Sequence, residues 1–170
     1  MTAYTTLLEE TLEAWEFTRQ GVIEELQNIP ETKFGFRPTD ESRSVIELAQ
    51  HIAESGMMMT GELPRSDGDF RRKSHEGFLH EYAKGVGGKR TKAQLLALLR
   101  QSHADGLKRL RTAGELQMLQ LIRRFDGKMG TRLAWLQHGI AHEEYHRGQI
   151  ALYARMMGRV PALTKRIRGG

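Results

Sequence analysis

The chain has 170 residues, of which 39 % are hydrophobic, 28 % charged and 7 % aromatic, and this arithmetic fits one domain over 1–170 rather than two. No window approaches the roughly 20 uninterrupted apolar residues of a membrane-spanning helix, and the opening MTAYTTLLEETLEAW carries no basic stretch ahead of an apolar one, so neither secretion nor insertion is expected. The 26 basic against 21 acidic residues leave a mild excess of +5, and the absence of Cys excludes disulfides, thiolate metal sites and a cysteine nucleophile, as a cytoplasmic protein would allow.

Four segments repeat apolar residues at the helical period, and no run alternates as a half-buried strand would. The expected fold is therefore all-α. The first helix runs from about Ala3 to Gln27, with Leu8, Leu12, Trp15, Val22 and Leu26 on one stripe and Gly21 as its weak point; it stops before Pro30. Ser44 and Glu47 form an S-x-x-E capping box that opens the second helix, which carries Ile46, Leu48, Ile52 and Met59 toward Leu63 and closes at Pro64. The stretch Pro64–Arg90 is too long for a simple turn between antiparallel neighbours. It is expected to carry a short helix around Gly77–Tyr82 and to return the chain to the opposite end of the molecule.

A second capping box, Thr91 with Gln94, opens the third helix, whose stripe of Leu95, Leu96, Leu99, His103, Leu107 and Leu110 ends near Gly114. The fourth begins near Thr131 and continues through Leu136, Ile140, Ile150 and Ala154 to Gly158, with Pro161 beyond. Arg155, Arg159, Lys165, Arg166 and Arg168 follow with no acidic residue after Glu144 and no interleaved aromatics. They read as a solvated basic helix end rather than a nucleic-acid platform. The total is a four-helix bundle with one long crossover.

Three of the seven His, His138, His142 and His146, lie four apart in the fourth helix and share a face. At that spacing the Cβ atoms are about 6 Å apart, close enough for imidazoles to converge on one ion, provided a facing helix supplies a partner. His51, mid-way along the second helix, is the candidate. His103 and His138 read instead as satisfied core residues. His142-Glu143-Glu144-Tyr145-His146 spells H-E-x-x-H, in which a zinc protease uses the Glu as general base. Here no His, Asp or Glu occurs after His146, so a third ligand must lie upstream.

Glu143 and Glu144 point about 100° apart, so at most one faces the site. Gln149 and Tyr153 follow His146 at one-turn intervals and are candidates for orienting ligands. Arg147 is expected to pair with a carboxylate on a neighbouring helix or across a dimer contact, and Met57, Met58 and Met59 to form core and pocket wall. Gly85–Lys89 departs from Walker spacing and reads as a turn, and Arg71, Arg72 and Lys73 as solvated loop.

The segment His142-x-x-x-His146-Arg147-Gly148-Gln149-Ile150 resembles the closing H-x-x-x-H-R-G-Q-I motif of the DinB/YfiT-like four-helix bundle family, which includes bacterial thiol-dependent S-transferases. Phe36-Arg37-Pro38 followed by Arg43-Ser44-Val45-Ile46-Glu47-Leu48-Ala49-Gln50-His51-Ile52-Ala53-Glu54 is similar to its W-R-P … S-x-x-E-L-x-x-H-I stretch, and Ala154–Gly158 to its closing R-x-x-G. The likeness covers most of the chain, with Phe36 where many members have Trp. It implies a divalent ion, zinc or nickel, on His51, His142 and His146; Glu143, Gln149 and Tyr153, by their helix positions, are the candidate catalytic residues around it. It also implies transferase chemistry on a small molecule with a low-molecular-weight thiol, and a homodimer; no nucleic-acid or membrane partner is expected. The other readings are a metal-dependent hydrolase, a non-catalytic stress or sensor protein with a structural ion, and a bundle with no metal.

Overall fold

Where the apolar period, a capping residue and a glycine stop agree, the helix boundaries follow from the sequence. The computed structural model describes residues 6–169. Helix α1 spans Leu7–Asn28: Thr6 is extended and its hydroxyl accepts the Glu9 N–H, so the helix starts there, and residues 3–5 lie outside the described residues. α2 spans Val45–Glu62, and its capping box is complete, with Ser44 Oγ accepting the Glu47 N–H and the Glu47 carboxylate accepting the Ser44 N–H. α3 is the short helix of the crossover, His75–Tyr82. α4, Lys92–Met118, opens on the Thr91–Gln94 box. Gly114 (φ 77°, ψ 166°) is a kink rather than the end, and one further turn follows it. α5 spans Arg132–Met156, with Thr131 as N-cap and Gly158 left-handed just beyond (φ 74°), and α6 is Ala162–Ile167.

Contacts fix the helix directions. Arg19 meets Leu99 and Ser102 while Lys92 reaches the carbonyls of Gln27 and Ile29, so α1 and α4 are antiparallel. Tyr153 bonds the Arg43 carbonyl and Arg132 the Leu63 carbonyl, so α2 and α5 are antiparallel too. By contrast Trp15 meets Glu143 and Asn28 meets Val160, which makes α1 and α5 parallel neighbours. Gln50 with Lys89 and Thr60 beside Gly106 make α2 and α4 the second parallel pair. Two helices that follow one another can run the same way only if the chain travels back their full length between them. The crossover does this.

That crossover is fastened by a buried carboxylate. Glu62 is fully enclosed and accepts the fork of Arg72, the Tyr82 hydroxyl (2.7 Å) and the Asp69 N–H (2.8 Å). Arg72 is thus a structural clamp, whereas its neighbours Arg71 and Lys73 keep the solvent-facing character expected of the run. Gly85 (φ 89°) opens a 3-10 turn at Val86–Gly88, as a turn reading of the glycine-rich stretch requires. The sequence gives no sign of strands β1 (Leu121–Arg123) and β2 (Met129–Thr131), which form an antiparallel hairpin between α4 and α5. Three residues are too few to show alternation, but the hairpin buries Ile122 and bonds its Arg123 carbonyl to the Phe70 N–H of the crossover.

At mid-height the helices approach closely. A Cβ added at Gly106 in α4 would stand 2.6 Å from Trp15 Cη2 and 2.9 Å from Thr60 Cγ2, whereas at Gly148 in α5 it would meet nothing within 4 Å. Gly106→Ala is therefore expected to cost about 1–3 kcal/mol through overpacking against the indole. Gly148→Ala is expected to stabilise by about 0.5–1 kcal/mol through helix propensity. Urea denaturation of both variants checks this, and equal effects at the two positions would refute the packing argument.

Candidate metal centre

His51 on α2 and His142 and His146 on α5 meet where the two antiparallel helices cross. The His142 Nε2 lies 3.0 Å from the Nε2 of His51 and 3.0 Å from that of His146. One ligand nitrogen from each ring falls within 4.8 Å of the others. A tetrahedral zinc ion with Zn–N of about 2.0–2.1 Å spaces its nitrogens about 3.3 Å apart, so the donor set fits such an ion with small ring movements. His146 is buried, while His51 and His142 keep partial exposure, which leaves the cluster open on one side.

The electrostatics keep all three rings neutral. Burial, then the nearby Arg43, His142, His146 and His75, push the His51 pKa down to about 3. Burial lowers His142 as well, helped by His146, and burial lowers His146. Neutral imidazole is the ligating form. Which nitrogen carries the proton is set for His146 by Gln149, whose Oε1 lies 2.6 Å from Nδ1: an amide oxygen accepts, so Nδ1 holds the hydrogen and Nε2 presents its lone pair to the cluster.

The remaining candidates divide by helix face. Glu143 points toward α1, not into the cluster: it is buried, accepts the Arg19 guanidinium through both oxygens (Nη2–Oε2 2.9 Å) and takes the Trp15 indole N–H at 3.0 Å. Its carboxylate is thus held on the α1 side and does not stand at the cluster as the general base of a zinc protease does. Tyr153 is buried and donates to the Arg43 carbonyl (3.0 Å), with Phe36 edge-on to its ring. Arg147 pairs with Glu144 on its own helix rather than with a neighbour, and its guanidinium fills the space above Gly21, the weak point of the first helix.

Two histidines differ from expectation. His138 is exposed and packed on Trp135 (4.7 Å between ring centres). His103 lies against Trp15 (4.2 Å), but neither of its buried nitrogens has a partner among the described residues, so it is not satisfied. Met58 and Met59 are buried core, as expected, and Met59 also lines a narrow slot beside His142. Tyr145, which sequence reasoning passed over, stands edge-on to His146 at 5.1 Å with 65 % of its surface exposed, at the rim of the centre. Its place inside the H-E-x-x-H spelling was the available signal.

Residues 14–150 match the model of the DinB superfamily. The chain belongs to that superfamily. Among solved structures this DinB chain is similar to the DinB-like protein YjoA from Bacillus subtilis, at 21 % identity over 89 % of this chain and 93 % of that one, TM-score 0.68. YfiT of Bacillus subtilis, described as a probable metal-dependent hydrolase with an unusual four-helix bundle topology, aligns at 16 % identity over 93 % and 91 %, TM-score 0.69. A mycothiol-dependent maleylpyruvate isomerase aligns at 14 % over 88 % of this chain and 63 % of its own, TM-score 0.66. These likenesses establish the bundle fold. No curated protein matches the chain.

Removing one member of the Arg19–Glu143 pair, as in Arg19→Met or Glu143→Leu, is expected to cost about 3–5 kcal/mol, and the double variant clearly less than the sum, because each single change strands a buried charge. Equilibrium unfolding of the four proteins reads the coupling, and additive losses would refute it. His103, whose pKa is driven down to about 4 by burial and then by Arg19 and Arg111, is protonated more readily in the unfolded chain. Its neutral form thus favours the fold above about pH 6.5, and that contribution is lost as pH falls from there toward 4. His103→Phe is expected to flatten the fall in unfolding free energy over this window. An unchanged slope would show that the ring titrates alike in both states.

Proposed function

We propose that this DinB chain is a divalent-metal-dependent transferase, acting on a small molecule with a low-molecular-weight thiol as cosubstrate and holding zinc or nickel on His51, His142 and His146. The observation that carries this reading is the convergence of three neutral imidazoles from two helices on one partly open point. Bound there, a divalent ion supplies Lewis acidity, which brings the pKa of a coordinated water or thiol toward neutrality. The chain's own groups prepare the place. Burial keeps the rings unprotonated at pH 7, and Gln149 fixes the His146 tautomer. Arg43 adds positive potential that favours an anionic reactant such as a thiolate. Tyr145 walls the opening. With no Cys in the chain, a sulfur nucleophile has to arrive from outside.

The thiol reading draws support from the mycothiol-dependent isomerase among the structural relatives, and hydrolysis, the second reading, from the description of YfiT. A cytoplasmic location, where low-molecular-weight thiols are kept reduced, belongs to the proposal. So does a homodimer: α1 and α5 form an outward groove of about 440 Å³ lined by Leu7, Thr11, Ala14, Leu133, Ile140 and Ala141, with Glu10 the one charged residue on its wall. A second copy burying this groove accounts for its apolar lining.

Thermal melts with and without Zn²⁺ or Ni²⁺ test the centre. At a hundredfold excess over Kd the ion is expected to stabilise by about 2.7 kcal/mol, and His142→Ala to abolish the gain. A screen of electrophiles with small thiols, against water alone, then separates transferase from hydrolase. Absence of any metal-dependent stabilisation would sink the proposal, and stabilisation without acceleration of either reaction would leave the ion a structural role.

A further inference from the structure

The end of the bundle formed by the last turns of α5, the following loop and α6 combines two features that seldom coincide on a solvated surface. Leu152 (52 % exposed), Met156 (54 %), Val160 (42 %) and Ile167 (76 %) present aliphatic side chains to solvent. Among them stand Arg155, Arg159, Lys165, Arg166 and Arg168, and the sequence contains no acidic residue after Glu144. Only one of these cations, Arg166, is neutralised by an ion pair among the described residues, with Glu24. Arg155 and Lys165 bond only neutral oxygens, those of Thr164 and Asn28.

The face is continuous. On α5, Leu152, Arg155 and Met156 fall within about 100° of arc at 100° per residue, and Arg159 and Val160 follow in the loop beyond the left-handed Gly158. The contact of Arg155 with Thr164 brings α6 alongside, and Ile167 is one turn from Thr164 on the same side of that helix.

We infer that this face docks on an anionic lipid surface, its cations at the headgroups and its four aliphatic side chains entering the boundary with the acyl chains. Charge complementarity selects the occupant. Cations alone would suit a nucleic-acid backbone equally, but a phosphate backbone gives exposed Leu, Met, Val and Ile nothing to bury against, and the exposed Phe17 beside these cations is already covered by the Arg147 and Arg166 guanidinium groups. A second copy of the same face would oppose like charges. This departs from the expectation, drawn from charge alone, of a merely solvated helix end. The missing information was the exposure of the aliphatic residues, which the sequence places at ordinary helix positions. Leu152 and Met156 lie on the side of α5 toward Tyr145 and Gln149, so a docked molecule would hold the opening of the histidine cluster close to the lipid headgroups.

Co-sedimentation of the full chain with vesicles of 70 % phosphatidylcholine and 30 % phosphatidylserine tests this, with pure phosphatidylcholine vesicles as reference. Binding is expected to the anionic vesicles only and to weaken as salt rises from 50 to 300 mM. Each cation at an anionic leaflet is worth about fivefold in partition, so the triple variant Arg155→Gln, Arg159→Gln, Arg168→Gln is expected to lose about a hundredfold. The charge-conserving double variant Met156→Ser, Ile167→Ser is expected to lose at least tenfold. All five positions are exposed, and an unchanged melting curve confirms that the variants fold. No binding to anionic vesicles at 50 mM salt would overturn the inference. So would a serine variant that binds like the parent, or a duplex oligonucleotide that competes the protein off vesicles at equal charge, each of which would leave only a nonspecific polycation.

Discussion

The buried ion pair between Arg19 and Glu143 is the constraint on which the rest of the arrangement hangs. Arg19 is 1 % exposed, and its guanidinium spends its donors on Glu143 of α5 and on the Leu99 carbonyl and Ser102 hydroxyl of α4. Trp15, one turn away, gives its indole N–H to the same carboxylate. A charge taken out of water tolerates few alternative positions, since any slip of one helix along another would leave it unpaired. Three helices are thereby held in a single register at mid-height. The glycines there follow from the same pair: a Cβ at Gly56 would meet the Arg19 guanidinium at 2.8 Å, and one at Gly106 would meet the Trp15 ring that Glu143 holds in place.

This register matters to the histidine cluster because Glu143 and His142 are adjacent. Successive helical residues point about 100° apart, so fixing Glu143 toward α1 turns His142 and His146 toward α2. The histidine cluster and the buried pair are two faces of one helical turn, the first partly exposed and built of neutral groups, the second closed and built of charges. The long crossover serves the same end from the other side. By carrying the chain back before α4 begins, it lets α2 lie antiparallel to α5 and bring His51 to the level of the pair, and the enclosed Glu62 clamp keeps that connection against the end of α2.

What the sequence disclosed is what local rules determine. The capping boxes at Ser44 and Thr91, the left-handed Gly158 and the i, i+4 spacing of His142 and His146 each concern a few consecutive residues, and each is found as expected. His51 emerged because one further assumption, a facing helix, supplies the missing ligand. The partner of Glu143 was not legible, because Arg19 stands 124 residues away and nothing near either residue announces a buried charge. The same holds for Arg72, which reads as one of three loop cations until the fold carries it to Glu62. The hairpin escaped because three-residue strands have no period, and the kink at Gly114 because a glycine near a helix end signals a stop whether or not the chain resumes.

The H-E-x-x-H spelling shows how far such a motif reaches when only its letters are known. In a zinc protease the glutamate works because it stands at the metal with a free oxygen. Here the same four-residue spacing gives two histidines on a common face, since that is a property of any α-helix, but the role of the glutamate depends on what packs against the next face round. With a guanidinium and an indole waiting on α1, both oxygens are consumed and the carboxylate becomes an anchor. The histidine cluster is thereby left with neutral imidazoles and no carboxylate on its own face. Whether the glutamate beside His142 stands free or serves as a buried anchor therefore rests on Arg19 and Trp15, two residues that never touch the histidine cluster.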